Sequence, residues 1–424
     1  MRRPVGALAA AFAVAALVPA CSGGQAVLPN QSNVPVSQQA IGVPGWIQVG
    51  TRLTWYAAAA SVAQSRFQWI EDPNGNYLDP TTGKRYRRSD EAGPQGQAPE
   101  DPPAASGDGL SQIDVLAIEG DNVVLSSNLF TFDRINNLLL HTPVGGGSVP
   151  GTSVDGAWIH PQTLAQLAGG GAGVTVLRGP YTLGGTAYDS LSLTSGLGGG
   201  GNSYSYTYDL QTGVLLSANT TTAGGITTPL RAPGDPAPPI SNTQLTMARF
   251  AGFRQRSQPG IDAQNPDWVA GTSQLSYQGT YNWVNPIDPT SGNLTYPMEH
   301  TVSIQPGGAN WASFRARSVV PGLIDSQLEG VVGPSGGYWY SPQALASMSV
   351  GQVLDQDGLT GDQVTVTFVG VDRTGNDVVV VESLLPGVST TSSYSRADGV
   401  LLAYQQEAVQ TTGITITLQL FDRR

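Results

Sequence analysis

The sequence predicts a mainly β protein made of two homologous antiparallel, twisted sheets, sandwich-like or half-barrel-like, each with one short helix. Two observations carry this prediction: the two halves of the chain repeat a motif, and the strongest local signal is the alternation of apolar and polar residues. A third observation argues against a parallel α/β fold, because no long amphipathic helix alternates with the strand segments.

The repeat is defined by residues 158–167, WIHPQTLAQL, and residues 339–348, WYSPQALASM, which share the pattern W-x-x-P-Q-x-L-A-x-[LM]. Further matches follow in the same order: 50–55 with 271–277, 79–83 with 288–292, and 208–216 with 394–402. Because the order is kept, the pattern indicates a duplication. We call the two copies unit one and unit two.

Strand segments occur throughout both units. Residues 414–420 alternate apolar and polar side chains along the whole segment, which is typical of a strand with one buried face. Hairpins are predicted where two strand segments flank a turn: 113–118 with 123–125, 204–208 with 214–216, and 364–368 with 378–381.

The shared motif predicts a short helix in each unit. Ser341 is a suitable N-cap, Pro342 suits the first helical position, and Leu345 and Met348 lie on one face. His160 stands at the capping position of unit one. The tryptophan before each helix is expected to cover the apolar face of the sheet.

These features divide the chain into five predicted segments. They are a signal peptide at 1–20, a flexible tether at 21–45, unit one at 46–256, a hinge at 257–266 and unit two at 267–424. Unit one is the longer copy, since residues 86–109 are rich in Pro, Gly and charge and predict a disordered-like insertion.

The N-terminus has the pattern of a signal peptide. Arg2 and Arg3 precede an apolar run from Val5 to Val18, which is followed by small residues up to Cys21. The run has about 14 residues, whereas a spanning helix needs roughly 20. We therefore expect export rather than a permanent transmembrane anchor.

Val18-Pro19-Ala20-Cys21 resembles the lipobox of bacterial lipoproteins. The resemblance implies that Cys21 receives a diacylglyceryl group with fatty acyl chains such as palmitate and becomes the mature N-terminus. Ser22 resembles the pattern that directs lipoproteins to the outer membrane in cells with two membranes. Pro19 departs from the small aliphatic residue usual there, and cleavage by an ordinary signal peptidase would instead give a secreted protein.

Composition limits the partners and the sources of stability. Cys21 is the one cysteine, so its lipidation would leave the folded part without a disulfide. The formal net charge of −11 and a single lysine, Lys84, argue against binding to nucleic acid and against electrostatic binding to anionic lipid. A covalent lipid is thus the expected link to the membrane, and 424 residues suffice for two ordinary domains.

No catalytic residue is predicted. The three histidines have no paired spacing for zinc, and no Gly-x-Ser-x-Gly sequence marks a serine nucleophile. Glu299 and His300 are adjacent on a strand segment, so their side chains should point to opposite faces. A cell-wall hydrolase would require Glu299 to cluster with Asp288 and Asp325.

An acidic turn in unit two is a candidate calcium site. Asp355, Asp357 and Asp362 offer the oxygen ligands that calcium prefers, and residues 72–79 of unit one offer a similar set. Neither continues into a 12-residue loop with a terminal Glu. The favoured alternative is that these side chains bond to the backbone of their own turns, and no other cofactor is predicted.

Aromatic residues are the remaining candidates for ligand binding. Tyr204, Tyr206 and Tyr208 share one face of a strand, and Trp158 and Trp339 flank the repeated helices. Such a stripe would suit a sugar, a peptide or a lipid. The favoured alternative is packing in the core or between strands.

The sequence thus favours an exported, non-enzymatic envelope lipoprotein whose tandem β domains bind or present an apolar, lipid-like ligand. By architecture this is analogous to periplasmic lipoprotein carriers, in which a helix covers a half-barrel. The alternatives are a structural or assembly protein that uses its units as spacers or partner surfaces and, less favoured, the hydrolase.

Overall fold

The structure is a computed structural model that describes residues 42–63, 70–71, 76–78, 85–87, 106–133, 138–154, 156–168, 174–195, 203–223, 242–283, 294–408 and 414–424. The predicted signal peptide, Cys21 and nearly all of the predicted tether lie outside the described residues. Asp288, most of the acidic turn at 72–79 and the interior of the predicted insertion at 86–109 also lie outside them.

Unit one forms a nine-stranded antiparallel sheet, a small three-stranded sheet and a two-stranded ribbon. Its elements are β1 Thr51–Ala63, β2 Ile70–Glu71, β3 Asn76–Leu78, β4 Arg85–Arg87, β5 Ser106–Glu119, β6 Asn122–Asp133, β7 Leu138–Pro150, β8 Ser153–Val154, β9 Trp158–Ile159, α1 Pro161–Leu167, β10 Thr175–Leu183, β11 Thr186–Ser195, β12 Ser203–Asp209, β13 Leu215–Ala223 and β14 Asn242–Gln255.

Unit two forms a ten-stranded antiparallel sheet and a two-stranded ribbon. Its elements are α2 Trp268–Gly271, β15 Gln274–Trp283, β16 Leu294–Gly308, β17 Trp311–Val320, β18 Ile324–Val332, β19 Ser335–Gly336, β20 Trp339–Tyr340, α3 Pro342–Ala346, β21 Val353–Gln356, β22 Gln363–Val371, β23 Asp377–Leu385, β24 Val388–Ser395, β25 Leu401–Ala408 and β26 Ile414–Arg423.

The two large sheets share one topology. In the nine-stranded sheet the order is β10-β11-β12-β13-β14-β1-β5-β6-β7, and in the ten-stranded sheet it is β18-β17-β16-β15-β26-β25-β24-β23-β22-β21. In each, the first strand pairs with the last, and a crossover containing the ribbon and the helix joins two meanders. Both sheets are open at their edges, so the predicted fold class is confirmed.

Matching irregularities strengthen the likeness of the units. The pairing of β1 with β14 shifts register between Thr54 and Trp55, and that of β15 with β26 shifts between Ser276 and Tyr277. Both shifts lie at the same place in the repeat. A bulge bends and twists its strand locally, so the two sheets bend at the same point.

The repeated tryptophan is the centre of each core. Trp158 and Trp339 are fully buried, and each makes an edge-on contact with the tryptophan that precedes the first strand, Trp46 at 6.2 Å and Trp268 at 5.7 Å between ring centroids. The tryptophans therefore cover the apolar face as predicted. An indole of this size contributes on the order of a few kcal/mol through burial alone.

The helix cap differs between the units. His160 accepts a hydrogen bond from the Gln162 N–H at 3.2 Å, as predicted for a cap. Ser341 occupies the same position, but its hydroxyl donates to the Gln343 side chain at 2.7 Å and makes no capping bond. The helices are correspondingly short.

The segment predicted as a hinge is packed against unit two. The Gln258 amide donates to the Tyr340 hydroxyl at 2.6 Å, and the Asn265 side chain accepts from the Trp339 indole at 3.0 Å. Gly260 lies so close to the Pro334 carbonyl that a Cβ would be 2.8 Å from it. These contacts hold parts of the segment against unit two.

Of the helices formed by the described residues, none has the length and apolar character that crossing a membrane requires.

Candidate functional site

The inner face of the ten-stranded sheet is the candidate ligand site. We define it as the face that carries the Trp339 core, and cross-strand pairing places further side chains on it. These side chains, some within the tryptophan core and others packed against it, are Tyr277, Tyr281, Trp283, Tyr296, Met298, His300, Phe314, Ala316, Ser318, Ile324, Ser326, Leu328, Tyr404, Gln406, Ile414, Ile416 and Leu418.

None of those inner-face positions has an aspartate, a glutamate, a lysine or an arginine. The charged pairs of β17 and β18 lie on the opposite, outer face, where Arg317 pairs with Asp325 at 2.8 Å and Arg315 with Glu329 at 2.6 Å. Arg423 of β26 lies over the Trp268 ring, which packs against the inner core. Trp283, Tyr296 and Ile416 are only half-buried, although they are apolar. The inner face thus offers a neutral, largely apolar surface next to a filled core.

A polar group interrupts this surface at His300. Its ring nitrogens lie 2.8 Å from the Ser318 hydroxyl and 3.1 Å from the Tyr338 hydroxyl, and the Tyr338 ring stacks on it. Burial lowers the pKa of His300 to about 4, so the imidazole is neutral at neutral pH. Tyr338 comes from the crossover, directly before Trp339.

Tyr277 completes the group. Its ring centroid lies 5.9 Å from that of His300, and its hydroxyl is buried without a hydrogen-bond partner. Burial, together with the nearby Tyr338, raises the pKa of Tyr277 well above its usual value. A buried hydroxyl without a partner costs free energy, so it needs an explanation.

A second feature is a buried cluster of charges between the units, which we call the ion joint. Arg52 of unit one forms two bonds to Asp114, at 2.6 and 2.8 Å, and a third to Asp357 of unit two at 3.2 Å. Arg254 forms a bidentate ion pair with Asp355, with N–O distances of 2.7 and 2.8 Å. The joint therefore connects β1, β5 and β14 to β21 and to the turn that follows it.

Charge is balanced within the ion joint. Arg256 lies 3.5 Å from Asp114 and supplies a third guanidinium for the three carboxylates. Burial alone would raise the pKa of Asp114, but Arg52 and Arg256 outweigh it and lower that pKa to about 2. The carboxylates of Asp355 and Asp357 also have lowered pKa values, because neighbouring hydrogen-bond donors and arginines outweigh burial.

Apolar contacts surround the ion joint. Val331 of β18 packs with Leu116, Ala117 and Val124 on the outer face of unit one. Gly146 of β7 permits this approach, since a Cβ there would lie 2.5 Å from the Val331 side chain. At the other end, Leu110, Phe130 and Leu139 pack against Leu385, and the Leu139 N–H donates to Pro386.

The ion joint replaces the predicted calcium site. Asp355 bonds to Arg254, and Asp357 accepts from Arg52, Gln112 and the Leu359 N–H. Asp362 accepts from the Ser383 hydroxyl at 2.7 Å instead. Throughout the described ranges, no three His, Cys, Asp or Glu side chains form a group that could hold a metal ion. The carboxylates of Asp355 and Asp357 are thus bonded to arginine side chains, and that of Asp362 is bonded to a serine hydroxyl.

The predicted tyrosine stripe is in the core of unit one. Tyr206 and Tyr208 are buried, and Tyr204 stacks on Tyr206 at 5.2 Å between ring centroids. Trp158 and Trp339 are likewise fully buried. The structure therefore brings the stripe together as packing, and it places Trp339, but none of the three tyrosines, near the inner face of unit two.

The acid–base candidates are divided between the two faces of the ten-stranded sheet. Glu299 and Asp325 are both exposed, and Asp325 pairs with Arg317 on the outer face. His300 lies on the inner face, so it points away from Glu299 as predicted. The register places Glu299 and Asp325 on either side of Val319, and Arg317 engages the Asp325 carboxylate. Asp288 lies outside the described residues.

Sequence reasoning missed Arg52, Asp114 and Arg254. Their signal is a difference between the repeats at matched positions: Arg52 pairs with Asp114 in unit one, whereas Gln274 pairs with Ser303 in unit two. A buried ion pair present in one copy alone marks a surface used in that copy alone. The correspondence between the Arg52–Asp114 pair and the Gln274–Ser303 pair can be recognised only when the strand register is known.

No protein-family model matches the chain, and no curated protein matches its sequence.

Proposed function

We propose that this protein is an exported lipoprotein, anchored through Cys21, whose second unit binds an apolar, lipid-like ligand on its inner face. The observation that carries the proposal is the run of half-buried aromatic and aliphatic residues beyond the Trp339 core. Exposed apolar surface of this kind is costly in water, and a bound apolar molecule would remove that cost.

The proposal assigns different tasks to the two units. Unit one holds unit two through the ion joint and the surrounding apolar contacts, and unit two presents its inner face. Because Trp283, Tyr296 and Ile416 carry no charge, burial of apolar surface at about 25 cal/mol per Å² would be the main source of affinity. No chemical step is required, in agreement with a non-enzymatic role.

Native mass spectrometry of the protein purified from membranes tests ligand binding. We expect a non-covalent adduct on the wild type and its loss in Ile416→Glu, which places a charge on the inner face. Gln419→Glu is the matched control, since Gln419 lies on the exposed outer face of the same strand. Equal adducts on both variants, or none on the wild type, would rule out this site.

Anchoring is tested separately, by metabolic labelling with a fatty-acid analogue. Label on the wild type but not on Cys21→Ser is the expected result. No label on either protein would indicate a secreted form and would leave ligand binding to be judged by the mass spectra.

The ion joint favours a second candidate, a rigid spacer of the cell envelope. A spacer needs fixed geometry between its units, and a balanced buried cluster of three arginines and three aspartates supplies it. Complementation of a deletion strain separates the candidates. A ligand carrier should fail with Ile416→Glu, whereas a spacer should tolerate that change and fail when the ion joint is broken.

A further inference from the structure

The polar group on the inner face has three hydrogen atoms to donate but forms two internal hydrogen bonds. Neutral His300 contributes one ring N–H, and Ser318 and Tyr338 contribute one O–H each. Two hydrogen bonds link these three side chains, at 2.8 and 3.1 Å. Whichever tautomer His300 adopts, one O–H hydrogen, on Ser318 or on Tyr338, remains unused.

Tyr277 adds a second unused donor. Its hydroxyl is buried next to His300 and has no partner. Ser318, His300 and Tyr338 are half-buried, so the group borders accessible surface. The site therefore lacks an acceptor oxygen, and a ligand can provide it.

The same surroundings disfavour a charged acceptor. No Lys or Arg occupies the inner-face positions that surround His300, namely Met298, Phe314, Ala316 and Leu328. A carboxylate or phosphate buried there would lose its hydration without gaining a counter-charge, which costs several kcal/mol. A neutral oxygen loses far less.

Resting on the proposed function, we infer that the ligand is an uncharged lipid whose ester, ketone or ether oxygen accepts hydrogen bonds from the Tyr277 and Ser318–His300–Tyr338 group. The hydrocarbon part of the ligand lies along Trp283, Tyr296 and Ile416. Ionised fatty acids and phospholipids are selected against.

The matching region of unit one shows that this group is not a general requirement of the fold. Trp55 stands where unit two has Tyr277, and its strand pairing brings Ser111 and Leu129 to the places of His300 and Ser318. Ala157 replaces Tyr338, before the repeated tryptophan. Unit one thus builds the same core without the imidazole and without the two tyrosine hydroxyls.

Equilibrium binding of three probes to the full mature chain at pH 8 tests the inference: methyl palmitate, hexadecane and palmitate ion. The signal is the change in tryptophan fluorescence. One hydrogen bond to the ester should make methyl palmitate bind about five- to tenfold more tightly than hexadecane. Palmitate should bind at least about tenfold more weakly than its methyl ester.

Tyr277→Phe and Ser318→Ala should each reduce the preference for ester over hydrocarbon, while hexadecane binding stays unchanged. Ser313→Ala is the matched control, because Ser313 lies on the outer face of the same strand. Two independent variants protect the test against one that fails to fold.

The outcomes separate the two proposals. If none of the probes binds, both the proposed function and the inference are wrong. If the probes bind but palmitate equals the ester, or neither variant changes the ratio, apolar binding stands and the inference about neutral acceptors is overturned.

Discussion

The two units have one topology but carry their polar groups on opposite faces. Unit one places Arg52 and Asp114 on the outer face of its sheet, where unit two has the uncharged pair Gln274 and Ser303. Unit two places His300 on its inner face, where unit one has Ser111. After duplication, the same scaffold thus supports an internal docking surface in one copy and a candidate ligand surface in the other.

This difference shows which positions the fold itself requires. The buried tryptophan, the strand bulge and the glycine after β12 or β24 occur in both copies, so they belong to the scaffold. The ion joint and the His300 group each occur once, so the core does not depend on them. Breaking a shared feature should affect either unit alike, whereas breaking a unique one should affect only its own task.

The largest effect is expected at the ion joint. Arg52→Ala leaves Asp114 buried without its main counter-charge and removes one of the two arginines that bond to Asp357, and breaking a buried pair in this way costs about 3–5 kcal/mol. Denaturant unfolding would measure the change in free energy. Arg317→Ala is the control, because its pair is more than half exposed and should contribute less than about 1 kcal/mol.

If Arg52→Ala and Arg317→Ala cost the same, the joint does not hold the units together. A replacement of the whole buried set by apolar residues is a different experiment, since such a change is often neutral. The single substitution is therefore the informative one.

A shared glycine should give the next largest effect. Gly213 and Gly399 have φ near +80°, and a Cβ on either would lie 1.9 Å from the carbonyl oxygen of Ile159 or Tyr340. Alanine at Gly399 should cost about 2–3 kcal/mol from strain and backbone displacement. Gly351→Ala is the control: Gly351 has φ +84° but open space around it, so alanine there adds backbone strain without a steric clash.

The same substitution at Gly213 should destabilise unit one by a similar amount. Thermal or denaturant unfolding of the two variants would show this directly. A marked difference between Gly213→Ala and Gly399→Ala would mean that the copies no longer share this contact as a structural requirement.

Acid should weaken the ion joint. The pKa of Asp114 is about 2 in the folded protein and 3.8 in the reference state, so the unfolded chain binds more protons between these values. Its contribution, about 2 kcal/mol, is fully present above pH 4 and is lost as the pH falls toward 2. Asp355 and Asp357 act in the same direction, and Asp362, whose pKa is raised by burial, opposes them.

Unfolding free energies between pH 6 and pH 2 would measure this loss. Asp114→Asn should have a shallower slope than the wild type over the acidic part of the range. An unchanged slope would contradict the assignment of a low pKa to Asp114.

Local signals in the sequence predict the strands, hairpins and short helices. They do not predict the contacts between strands that are distant in the chain. The hairpin at β22 and β23 follows from alternation and turn residues, and the helix at Pro342 follows from its cap position and proline. These signals involve neighbours in the chain, so they survive without knowledge of the register.

The two polar sites depend on contacts between distant strands. Arg52 meets Asp357 across 305 positions of the chain, and no local pattern encodes that distance. The turn sequence alone suggests oxygen ligands for calcium or bonds to its own backbone, and the arginines that reach Asp355 and Asp357 come from the other unit. His300 was recognised as pointing away from Glu299, whereas its partners Ser318 and Tyr338 become evident only from the strand register and the crossover.

The smallest expected effect concerns Tyr277, and it bears directly on why the units differ. In unit one the matching Trp55 donates its indole N–H to the Leu215 carbonyl at 2.8 Å, but the Tyr277 hydroxyl has no partner. Removing an unsatisfied buried hydroxyl should leave the ligand-free protein as stable as the wild type or more stable by up to about 1 kcal/mol. Thermal unfolding of Tyr277→Phe, with Tyr340→Phe as the matched variant that loses the bond from Gln258, would measure this difference. A destabilised Tyr277→Phe would mean that the hydroxyl serves the fold, and the unit would then keep it for packing rather than for a ligand.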